Sequence, residues 1–160
     1  TRALNKKLTV EQILEAFARL DAAKLPPLVA MVSYAIVLRR GVEAFVAEAS
    51  RAGFSGFIIP DLPASEAAEV FRIVRSRNLD LIQLIAPTTR RERVREILSA
   101  CSGFVYCLAV AGVTGEREQV AEALVEQLNW LRGETNLPLA AGFGISRPEH
   151  VGTLRTLVDG

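Results

Sequence analysis

Five short apolar runs, at residues 27–33, 56–60, 80–86, 103–108 and 137–142, constrain the fold of this 160-residue chain more than any other feature. Each is followed by a stretch with helical spacing of apolar residues, which is the sequence form of repeated βα units. The runs are almost continuously apolar rather than alternating, as expected of parallel strands buried on both faces. One repeat takes about 25 to 35 residues, the size of a βαβ step. The pattern predicts an α/β fold in one domain; a parallel barrel and an open doubly wound sheet both satisfy it.

The helical stretches carry their own signals. Thr9 and Gln12 form a capping box, in which each side chain satisfies a backbone N–H that the first turn leaves free. Val10, Ile13, Leu14, Phe17 and Leu20 follow as one apolar stripe. Ser146 and Glu149 repeat the capping-box spacing, with Pro148 tolerated in the first turn. Trp130 and Leu131 close a helix from about residue 119 and are expected to pack on a strand. Arg90, Arg91, Arg93 and Arg95, interleaved with Glu92 and Glu96, read as a solvated helix face.

Charge and cysteine use narrow the function. With 19 basic against 18 acidic residues the net charge is +1, so nothing calls for nucleic acid or an anionic membrane. No apolar run reaches the length of a membrane span and no leader pattern opens the sequence, which predicts a cytoplasmic location. Cys101 and Cys107 are the only cysteines, without metal-ligand spacing, and are expected to be reduced thiols. Cys107 reads as an apolar filler. His150 is the sole histidine, expected on a helix near solvent, so acid–base work falls to carboxylates.

Two glycine turns stand at strand ends: Gly112-Val113-Thr114-Gly115 after the fourth run, and Gly142-Phe143-Gly144-Ile145-Ser146 after the fifth. Glycine lacks a Cβ, so its N–H can approach a phosphate, and the second turn leads into a helix start. Facing one another, the two would make a phosphate cup. Asp61, in Pro60-Asp61-Leu62-Pro63, has two readings: a carboxylate pointing to the active face at the end of a barrel strand, or a cap or turn residue for a helix near Ser65.

These residues together resemble the tryptophan synthase α subunit family. The resemblance is colinear over essentially all 160 residues. It runs through Met31 with Tyr34 and Gly41, Pro60-Asp61-Leu62-Pro63, Ala86-Pro87-Thr88, Gly103-Phe104-Val105-Tyr106 and the two glycine turns. Gly-Val-Thr-Gly followed at this distance by Gly-Phe-Gly-Ile-Ser is the specific part.

The resemblance implies a (β/α)₈ TIM barrel that cleaves indole-3-glycerol phosphate to indole and glyceraldehyde 3-phosphate by a retro-aldol route, without a cofactor or a metal. It implies a β subunit partner, which carries pyridoxal phosphate and receives the indole. Residues 1–160 then form a single partial barrel domain with about five parallel strands, from helix 2 through helix 7 of the family. Tyr106, Thr114, Gly115, Gly142, Phe143, Gly144, Leu84 and Met31 fall at substrate-binding positions, and Asp61 is a polar strand-end residue but not the family's catalytic aspartate.

The family's two catalytic carboxylates belong to a stretch upstream of the helix that opens this chain, so the resemblance assigns no catalytic residue here and predicts that the piece alone is inactive. The family usually has Ser-Arg before its Gly-Val-Thr-Gly loop, and Asn after the strand-3 tyrosine. This chain reads Ala109-Val110 and Ala35-Ile36 there. The alternatives are a non-catalytic barrel relative that binds a phosphorylated ligand or a partner, and another phosphate-binding barrel isomerase or epimerase.

Overall fold

A computed structural model of the protein describes residues 8–21, 24–108, 117–142, 151–152 and 154–160, with the backbone alone for 117–123. The elements alternate as the sequence predicts. Helix α1 (Val10–Ala18) precedes strand β1 (Leu28–Met31), and helices α2 (Tyr34–Arg40) and α3 (Val42–Arg51) lead to β2 (Phe54–Ile58). Helix α4 (Ala64–Arg75), β3 (Asp80–Ile85), α5 (Arg91–Ser99), β4 (Val105–Leu108), α6 (Arg117–Glu134) and β5 (Leu139–Gly142) follow.

All four strand pairings are parallel, and the order in the sheet is β1-β2-β3-β4-β5, the order in the chain. A doubly wound sheet reverses its order at a switch point. This sheet has no reversal and curls into half a barrel, which decides between the two folds the apolar runs allowed. Beyond β5 the backbone pairing continues: Gly160 N–H donates to the Leu139 carbonyl at 3.3 Å and Ala141 N–H to the Gly160 carbonyl at 2.8 Å. Asp159 reinforces this edge, its carboxylate accepting the Leu139 N–H at 2.8 Å and pairing with Arg132 at 2.8 Å.

The helices pack on the outer face of the sheet in two apolar clusters. In one, Leu14, Val37, Phe45, Val46, Val70 and Val74 meet Phe57, Ile59 and Leu81. In the other, Val94, Leu124, Leu128 and Leu131 meet Ile85, Val105, Cys107 and Leu139. The strands were expected to be buried on both faces; in the middle of the sheet they are, with Ile58 and Ile82 of the inner face 6% and 1% exposed, whereas at the β1 edge Met31 is 60% exposed. Parallel strands in a barrel fill their inner face from across the barrel, and among the described residues only half the circle is present.

The local signals behave as expected with two refinements. Thr9 Oγ1 accepts from Gln12 N–H at 3.3 Å and Gln12 Oε1 accepts from Thr9 N–H at 3.1 Å, completing the capping box. The α1 stripe divides: Val10, Leu14 and Phe17 pack on the first cluster, while Ile13 and Leu20 lie along its exposed margin. The arginine-rich helix does more than face solvent. Arg91 and Arg95 pair with Glu126 and Glu134 of α6, and both guanidinium groups stand over the Trp130 ring, 5.2 and 5.7 Å from its centre. Trp130 also packs against the second cluster.

Both cysteines are buried and free. Burial pushes the Cys101 thiol up to about 11 and the Cys107 thiol up to about 12, in keeping with apolar fillers. His150 and the Ser146–Glu149 capping signal lie outside the described residues.

Candidate functional site

Side chains along a strand alternate between faces, so the outer positions Leu81, Ile85, Val105, Cys107 and Leu139 leave their neighbours pointing inward. Register then sets the rows of the inner wall. Met31 lies beside Ile58 and Ile58 beside Ile82, while Leu84 lies beside Tyr106 and Tyr106 beside Ala140. Gly142 follows Ala140 on the same face of β5. Four of the predicted substrate-binding residues, Met31, Leu84, Tyr106 and Gly142, therefore share one concave surface towards the C-terminal strand ends. In a parallel barrel this is the end that carries the active site.

Tyr106 and Gly142 are in close contact. A Cβ placed on Gly142 would stand 2.7 Å from Tyr106 Cζ and closer still to the phenol oxygen. The ring thus leans diagonally across β5 and needs the missing side chain at 142 to do so. Glycine here serves side-chain packing, a role different from the anion contact for which the turn was singled out. The upper wall from Met31 to Gly142 offers apolar surface and one phenol, a lining suited to a flat apolar ligand held by few polar groups.

Asp61 follows β2 at the same end of the sheet, and both of its oxygens are engaged. The Tyr34 backbone N–H donates to Oδ1 at 2.7 Å, and Ser33 Oγ donates to Oδ2 at 2.7 Å. The Ser33 hydroxyl first, then the Tyr34 N–H, hold the carboxyl below its ordinary value. Asp61 is thus a cap, as one reading had it, but of α2 and not of the helix near Ser65. That helix, α4, begins at Ala64 behind Pro63 with no side-chain cap. Ser33 was not singled out in the sequence; a serine just ahead of a helical stretch is the signal that could have found it. Tyr34 is buried behind this corner and donates its hydroxyl to Glu66 at 3.3 Å. Burial, and then the Glu66 charge, raise its pKa.

Thr114, Gly115, Phe143 and Gly144, with Ala109, Val110, Gly112 and Val113, lie outside the described residues. Among the described residues, no group of three or more His, Cys, Asp or Glu side chains could hold a metal ion. No described helix is long and apolar enough to cross a membrane.

Comparison with known proteins gives one answer. The family model described as "Tryptophan synthase alpha chain" matches residues 1–160. The tryptophan synthase alpha chain of Rhodopirellula baltica is 41% identical over 162 residues, covering 99% of this chain and 58% of its own length. That of Methanocaldococcus jannaschii is 41% identical, covering 99% and 57%. Among solved structures, tryptophan synthase subunit alpha from Campylobacter jejuni superposes with a TM-score of 0.87 at 32% identity, covering 99% of this chain and 63% of that one. The subunit from Pyrococcus furiosus gives 0.83 at 30% identity, covering 98% and 63%. The chain spans about three-fifths of the length of the relatives it matches.

Proposed function

Since this chain belongs to the tryptophan synthase alpha chain family, we propose that its protein cleaves indole-3-glycerol phosphate to indole and glyceraldehyde 3-phosphate, with these residues forming the substrate-recognising part of the site. The observation that carries the reading is the concave wall: Leu84 beside Tyr106 in the ladder, and the Tyr106 ring leaning over Gly142. Met31 and Leu84 supply apolar surface to the indole, and Tyr106 flanks it. Gly142, Phe143 and Gly144 hold the phosphate from the fifth strand end, while Thr114 and Gly115 belong to the loop that closes over the site. Residues 1–160 act as one partial barrel domain.

The reaction is a retro-aldol cleavage. A carboxylic acid protonates indole C3, a base removes the proton of the adjacent glycerol hydroxyl, and the bond between C3 and the carbon that bears this hydroxyl breaks to give indole and the aldehyde. A second carboxylate holds the indole N–H as charge develops. In this reading those carboxylates lie outside residues 1–160. Asp61 is not one of them, because both its oxygens are committed to Ser33 and Tyr34. No cofactor is required, and the indole passes to a β subunit that carries pyridoxal phosphate.

An indole-release assay on the protein carrying this chain, with and without a β subunit, tests the reading. Indole formed stoichiometrically with glyceraldehyde 3-phosphate, with a raised KM in Tyr106→Ala, is the expected result. Tight binding of the substrate without cleavage would overturn it.

A further inference from the structure

The outer side of the same strand end carries a feature that core packing does not require. Gln127 sits on α6 between Leu124, Leu128 and Leu131, and is itself buried at 8% exposure. Its Nε2 donates to the Ala86 carbonyl at 2.6 Å, whereas its Oε1 has no hydrogen-bond partner. An amide with one buried atom unsatisfied carries a desolvation penalty that a leucine would avoid. The bond that offsets it falls on Ala86, the residue directly after β3.

Ala86 is a hub. Its carbonyl also accepts the Thr89 N–H at 2.9 Å, and its own N–H donates to Thr89 Oγ1 at 3.1 Å. The turn from Ala86 to Thr89 is thus closed on itself and pinned to α6 at one atom. Two residues before that atom stands Leu84, which faces inward beside Tyr106. A strand is stiff over two residues, so fixing the Ala86 carbonyl fixes the height of Leu84 against the Tyr106 ring.

We propose that Gln127 is a positioning residue, which sets Leu84 on the concave wall by holding the Ala86 carbonyl from outside the sheet. The proposal rests on the reading of that wall as the indole site. Gln127→Met keeps the length of the side chain and removes the donor, so packing is preserved while the tie is lost. Leu128→Ala, the adjacent residue on the same helix, serves as the control for a purely structural lesion.

The test is made on the protein carrying this chain, in two arms. In Gln127→Met the Leu84 methyl resonances shift and hydrogen exchange at the Thr89 amide speeds up by about tenfold, whereas Leu128→Ala lowers the melting temperature without moving the Leu84 methyls. With indole-3-glycerol phosphate, Gln127→Met raises KM severalfold and leaves kcat near the parent value. Unmoved Leu84 methyls in a folded Gln127→Met protein would overturn the positioning role. If the parent protein fails to cleave the substrate while the methyls still shift, the proposed function fails and the positioning role stands.

Discussion

Asp61 Oδ1 accepts the backbone N–H of Tyr34 at 2.7 Å, so the loop after β2 caps the helix after β1. The N-cap residue of that helix, Ser33, makes no side-chain cap of its own. Its hydroxyl donates to Asp61 instead. Two consecutive βα units are tied at their C-terminal ends by one carboxylate from the second unit. The first turn of α2 depends on a residue 27 positions away.

Replacing Asp61 by Ala removes both acceptors and should lower the melting temperature by roughly 2–4 °C, the size of one lost helix cap in a protein of this length. Asn retains an acceptor for the Tyr34 N–H and should recover part of it. Because the folded carboxyl titrates below its ordinary value of 3.8, this contribution is complete above that pH and disappears as pH falls through the lowered value. Thermal melts of Asp61→Ala and the parent protein should therefore converge in strong acid and differ at neutral pH.

Gly142→Ala forces a methyl group into the Tyr106 ring. Overpacking of this kind costs about 1–3 kcal/mol. If the proposed function holds, displacement of the ring should also raise KM for indole-3-glycerol phosphate by about tenfold, the equivalent of 1.4 kcal/mol. Adding Tyr106→Phe removes the atom that the methyl meets first and should restore part of the stability. Denaturant melts of the single and double variants read the coupling.

The two ways in which α5 and α6 are joined should respond very differently to mutation. Leu128 is fully buried in the second cluster, and Leu128→Ala should cost about 3 kcal/mol through lost burial and the cavity left behind. Arg95→Ala removes an exposed pair with Glu134 and one guanidinium over Trp130, and should shift the melting temperature by less than about 2 °C. Its clearest effect should be a change in Trp130 fluorescence.

The buried thiols predict alkaline instability. Cys101 titrates at about 11 and Cys107 at about 12 in the folded protein, against an ordinary 9.0. A raised folded value means stability is complete below pH 9 and is lost as pH rises towards those values, because only the unfolded chain releases its protons first. Native protein at pH 8 should react negligibly with a thiol reagent until it unfolds. Cys107→Ala should flatten the alkaline decline.

The five strands were legible because each is a short apolar run next to a helical stripe, and these periodicities are carried by local sequence. The apolar periodicity alone left barrel and open sheet both open, because it does not say which strands become neighbours; the family resemblance chose the barrel, and the strand order β1-β2-β3-β4-β5 bears it out. Tyr106 and Gly142 were each found as members of a motif. Their contact was hidden because it is a diagonal between two strands separated by the whole of α6. Asp61 was suspected as a cap, yet its partner was misassigned, since a side chain that caps across 27 residues leaves no spacing to read. Gln127 was not singled out: its spacing puts it on the apolar stripe with Leu124, Leu128 and Leu131, but a glutamine in a helix is ordinarily a surface residue until its burial is known.

The identity of spatial and chain order has a consequence for biosynthesis. Among the described residues, each of β2 to β5 pairs with the strand made just before it, so none of these four waits for a partner from a distant part of the chain. As the polypeptide leaves the ribosome, each new βα unit finds its docking edge already formed, and the apolar face of that edge is covered within the time needed to translate one further unit. Assembly of this kind keeps the interval during which an aggregation-prone strand edge is exposed short and constant along the chain.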